Sequence, residues 1–112
     1  MIGAGSNIAI KTPAHLWMET VAFYRDRVGL IEKKATENTV AFEFGGMTLW
    51  IDRVDHQSQT DVWLELICDD PDNALAVLQA PNRDSLEPLD GIAAHWTSDP
   101  AGTVLLVRRK DS

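Results

Sequence analysis

Cysteine is nearly absent. Cys68 stands alone among 112 residues, which excludes an internal disulfide and any zinc site built on several thiolates. Its apolar alternation with Val62, Leu64 and Leu66 marks it as a small core residue, not a nucleophile. Basic residues are also scarce, 10 Lys plus Arg against 17 Asp plus Glu, for a formal net charge of -7. A polyanionic backbone is repelled by that balance, so nucleic acid is not an expected partner, and Arg108 to Lys110 read as a solvated end. No run of about 18 apolar residues occurs, and no cationic leader precedes an apolar stretch. Neither a membrane nor export is therefore expected, and the expected location is cytoplasmic. Also missing are a nucleophile elbow, an active-cysteine signature and a phosphate-binding glycine loop after a strand; "GAGS" at Gly3 to Ser6 precedes the first strand and reads as a flexible start.

What remains is the balance of a globular chain, 45% hydrophobic and 24% charged, of a length that makes about one domain. Compared with itself, the chain repeats weakly at a shift of 56 residues, from "GMTLWIDR" at Gly46 to "GTVLLVRR" at Gly102, and from "NIAIK" at Asn7 to "WLELI" at Trp63. Each half reads alike. The first has a strand at Asn7 to Lys11 and a helix from Pro13 in which Trp17, Val21, Tyr24 and Val28 recur at helical spacing until Gly29. Strands follow at Leu30 to Ala35, Thr39 to Phe44 and Met47 to Val54. The second has a strand at Val62 to Cys68, a short helix capped by Asp70 with Pro71 in its first turn, and strands near Ser85 to Leu89, Ile92 to Ser98 and Thr103 to Arg109. The expected architecture is α+β, a single domain over 1–112 made of two tandem βαβββ modules, about 1–56 and 57–112.

Two motifs carry a resemblance. "AFYRDRVGL" at Ala22 to Leu30 and "HWTSDPAGTVLLV" at His95 to Val107, in this order within a two-module chain, resemble the vicinal oxygen chelate superfamily of glyoxalases, bleomycin-resistance proteins and extradiol dioxygenases. The resemblance implies a curved, cup-like mixed sheet with helices on the outer face. Alternate strand residues must then face the helices or the cup. Ile8, Ile10, Met47, Leu49, Ile51, Val62, Leu64, Leu66, Cys68, Leu105 and Val107 are expected against helices. Asn7, Ala9, Lys11, Thr48, Trp50, Asp52, Trp63, Glu65, Val104, Leu106 and Arg108 are expected in the cup.

In metal-dependent members of the family, the first and last strand of each module each supply a ligand. By the resemblance those positions are Asn7, Trp50, Trp63 and Leu106, none of them a histidine or carboxylate. Indole and leucine offer a cation no donor, so no metal and no cofactor are expected. The three histidines, His15, His56 and His95, show no ligand spacing; His95 or its neighbour Trp96 faces inward, and a bulge at the "DP" turn would exchange them. The candidate pocket residues are thus Asn7, Lys11, Trp50, Asp52, Trp63, Glu65, His95, Trp96, Leu106 and Arg108. The reading that follows is a metal-independent protein binding an aromatic or cationic small molecule on tryptophan faces. The alternatives are a glyoxalase- or dioxygenase-like enzyme with a non-standard site, for instance an acid–base pair of Glu65 and His95, and a dimerisation or interaction module without ligand. A homodimer is expected from the resemblance.

Overall fold

The computed structural model describes residues 1–111. Its elements are strand β1 (Gly3–Pro13), helix α1 (Ala14–Ala22) continued by a wide π-helical turn (Phe23–Val28), strands β2 (Glu32–Ala35), β3 (Thr39–Phe44), β4 (Met47–Val54) and β5 (Asp61–Cys68), helix α2 (Pro71–Leu78), and strands β6 (Ala94–Ser98) and β7 (Val104–Arg109). The fold is mixed α+β. The chain forms two compact units, one of Ser6–Val62 and one of Met1–Gly5 with Trp63 onward.

In the first unit the strand order is β2-β3-β4-β1. Strands β1 and β4 run parallel, with Ile8 opposite Leu49, Ala9 opposite Trp50 and Lys11 opposite Asp52, while β3 pairs antiparallel with β4 and β2. Val21, Val40, Phe42, Leu49 and Ile51 form the core, with Ile8, Ile10, Trp17, Tyr24 and Leu30 packed against it. Trp17, Val21 and Tyr24 of the expected helical stripe meet the alternation of β1 and β4, whereas Val28, carried round by the wide π-helical turn, is exposed. Gly29, at φ 84°, ends the helical run in the left-handed conformation that glycine adopts without strain.

The second unit has the same pairing pattern. Strands β5 and β7 are parallel, with Leu64 opposite Leu105, Glu65 opposite Leu106 and Leu66 opposite Val107. Each pair is the 56-residue image of a β1–β4 pair, so the weak sequence repeat is a repeat of register. Cys68, Ala74 and Val107 form a small core joined by Ile2 and Leu66. Helix α2 has only eight residues, so Val62 and Leu64, expected under a helix, are partly exposed.

Two expectations are corrected. The strand near Ser85 to Leu89 is absent: residues 84–87 are turns and bends, so this half is βαββ. Its backbone folds on itself, with the Leu86 N–H donating to the Arg83 carbonyl, and Pro88 has no N–H for a ladder. The flexible start is in fact strand, Gly3 to Ser6 lying in β1. A Cβ at Gly5 would sit 2.3 Å from Oε1 of Glu65, so glycine there marks a side chain crossing the backbone, not a loose end.

Candidate functional site

In the first unit the side chains opposite the helix share one polar face. Trp50, half-buried on β4, donates its indole N–H to Oδ1 of Asn7 on β1 at 2.8 Å, which fixes the plane of the ring. Two residues along, Lys11 Nζ meets Asp52 Oδ2 at 2.8 Å, and the lysine side chain is only 7% exposed. The Thr39 hydroxyl, directly across on β3, donates to the other oxygen of Asp52. Toward the other end, Lys33 donates to Thr48 at 2.8 Å and lies 3.7 Å from Glu43. The register places Asn7, Lys11, Trp50 and Asp52 together because β1 and β4 are adjacent and parallel. Lys33 and Thr39 join them without any sequence cue, since both come from strands paired through β3.

In the second unit Trp63, Glu65, Trp96, Leu106 and Arg108 come together. Trp63 and Trp96 pack edge to face, centroids 5.0 Å apart and planes at 67°, and are 7% and 9% exposed. The Trp96 indole donates to the Glu87 carbonyl at 3.0 Å. Arg108 Nε reaches Glu65 Oε2 at 3.1 Å, the carboxylate side chain 6% exposed. Trp96 stands opposite Leu106 and His95 opposite Val107. Because Val107 belongs to the α2 core, His95 points to the helix side and Trp96 to the face it shares with Leu106. His95 is thereby separated from Glu65, and the two do not form an acid–base pair. The spacing explains the ambiguity in the sequence: Ala41 pairs with Trp50 but Trp96 with Leu106, so β6 repeats β3 at 55 residues where the rest repeats at 56.

His95 lies instead between two carboxylates, Nε2 at 2.5 Å from Asp72 and Nδ1 at 2.6 Å from Asp84. The hydrogen bond to Asp72, and then that to Asp84, raise the imidazole above its ordinary range despite partial burial. Burial would push Asp84 up, but hydrogen bonds from His95, the Trp96 backbone N–H and Asn82 hold it below the usual carboxylate range. Burial likewise raises the Cys68 thiol, against any use as a nucleophile at neutral pH. His15 and His56 are exposed.

The fold is similar to that of solved dioxygenase and glyoxalase structures. A variant of homoprotocatechuate 2,3-dioxygenase from Brevibacterium fuscum is 19% identical, with a TM-score of 0.65, over 96% of this chain and 32% of its own. BphC, a halotolerant catechol dioxygenase, is 16% identical at a TM-score of 0.61, over 97% and 40%. The Mn(II)-bound glyoxalase from Novosphingobium aromaticivorans is 14% identical at 0.64, also over 97% and 40%. The chain spans 32% to 40% of the length of these structures, and the likeness is one of fold. No protein-family model and no curated protein matches the sequence.

The residues at the four positions that the sequence resemblance assigns to metal ligands do not by their chemistry suit a divalent cation. Trp50, Trp63 and Leu106 carry no lone pair suited to one, and the Asn7 oxygen accepts the Trp50 indole. Among the described residues, no three His, Cys, Asp or Glu side chains are grouped to hold a metal ion.

Proposed function

We propose that this chain binds a small aromatic or cationic molecule without a metal, on the Trp50 face of its first unit. The observation that carries the reading is the half-buried Trp50 ring, oriented by Asn7 and flanked by the Lys11–Asp52 pair. An oriented indole with exposed surface is a stacking platform, and a few charged groups beside it set the direction of a ligand. The buried Trp63 and Trp96 have a different role, each filling the space beside the other.

Calorimetry with N-methylquinolinium, a flat aromatic cation, tests the reading. Saturable binding is expected, weakened about threefold to thirtyfold by Trp50→Ala, the range a cation–π contact supplies. Binding that Trp50→Ala leaves unchanged, or none at all, overturns it.

A second reading is an enzyme of the dioxygenase or glyoxalase type, supported by the activities of the structural neighbours. Metal analysis separates the two. Stoichiometric iron or manganese retained after purification supports the enzyme and removes the metal-independent reading.

A further inference from the structure

We propose that Asp72, His95 and Asp84 form a proton-operated latch that fastens helix α2 to strand β6, closed on the doubly protonated imidazole and released at Asp72 when one proton leaves. The three groups come from three segments of the second unit: Asp72 from the first turn of α2, Asp84 from the turns after Pro81, and His95 from β6. The carboxylates approach opposite ring nitrogens, at 2.5 and 2.6 Å. An imidazolium donates from both nitrogens, whereas a neutral imidazole donates from one and presents a lone pair at the other. Both contacts can be hydrogen bonds only in the charged form.

The surroundings decide which contact fails. Asp84 is held by more than the ring: Oδ1 accepts the Trp96 backbone N–H at 2.8 Å, Oδ2 accepts the Asn82 amide at 3.2 Å, and its own N–H donates to Asn82 Oδ1 at 2.9 Å. Asp72 is 88% exposed, so water replaces the lost contact. The remaining proton therefore sits on Nδ1 toward Asp84, and the bare Nε2 repels the Asp72 carboxylate. Other charges do not change this sign. Strand β7 presents Val107 across from the ring, and Arg109, further along that face, is engaged with Asp111 at 3.0 Å. Asp70, beside Asp72, is turned to the backbone N–H groups of Asp72 and Asn73. Helix α2 is otherwise held by Ala74 against Cys68 and Val107, with Ile2 and Leu66 beside them, and eight residues make a marginal helix alone, so the latch adds to a small attachment. The raised imidazole agrees with the closed form as the resting state below the ring's titration.

The test is nitrogen NMR of the His95 ring together with amide-exchange protection of Ala74 to Leu78, on the whole chain, about two pH units below and above the ring's titration. Both nitrogens should be protonated at the lower pH. Protection in α2 should then fall about fivefold or more across the titration, with intrinsic exchange corrected. Asp72→Asn, at an exposed position, should lower the ring's titration and make α2 protection independent of pH. Unchanged wild-type protection overturns the latch, as does a pH dependence that survives in Asp72→Asn. Loss of protection at Trp96 in place of α2 would show that the Asp84 contact opens, and also overturns it.

Discussion

Gly5 shows how much one missing side chain decides. The Glu65 carboxylate lies over its Cα, where an added methyl would meet Oε1 at 2.3 Å and the aliphatic stem at 2.5 Å. Glu65 cannot retreat without leaving Arg108, and the pair is nearly buried, at 6% and 19% exposure. Gly5→Ala is therefore expected to lose about 3 kcal/mol, the scale of a buried pair broken from one side, read as a lower urea midpoint. A midpoint equal to the wild type would show that Glu65 has room to move. Nothing local in "GAGS" announces this. Glycine and serine make a flexible stretch by composition, and only the distant Glu65 turns the glycine into a packing requirement.

At the scale of elements, helix α2 was legible because its signals are local. Asp70 accepts from the backbone N–H groups of Asp72 and Asn73 at 3.1 and 3.4 Å, and Pro71 occupies the first turn. Pro81 bounds its end, but no glycine marks the cap itself: Gln79 takes the left-handed conformation at φ 53°. Gln79→Gly should stabilise the protein by up to about 1 kcal/mol, since the left-handed region disfavours a side chain by roughly that amount. Thermal melting checks it, and a lower Tm would mean that the Gln79 side chain holds the turn. The segment Ser85 to Leu89 misled for the opposite reason. Its residue types allow a strand, but Asp84 and the Glu87 carbonyl bind Trp96 by way of the turns, not in a ladder. Trp96 and His95 were ambiguous because the repeat changes its spacing by one residue at β6, which exchanges the faces of a strand.

For the molecule as a whole, the shifted groups set a pH window. His95 is raised in the folded state, so its contribution is full below its unfolded value and is lost as pH rises through its folded one. Asp84 is lowered, so its contribution is present above its unfolded value and lost as pH falls through its folded one. The Tm is expected to peak between the unfolded pKa of Asp84 and that of His95, on the acid side of neutrality. His95→Gln should flatten the alkaline limb. A limb as steep in that variant as in the wild type would assign the decline to other groups.

By itself the sequence determined both helices, every strand except the one expected near Ser85 to Leu89, and the helix-facing alternation of Ile8, Ile10, Leu49, Ile51, Leu66 and Val107. These follow from periodicity and residue chemistry, which neighbours in the chain express without help. The tertiary structure alone decided that Trp63 and Trp96 bury one another, that Trp50 keeps an oriented and half-open ring, and that His95 sits between two carboxylates on the helix side. Each depends on register between strands or on a contact across many residues. A one-residue step in pairing changes which side chains meet while leaving every local pattern intact.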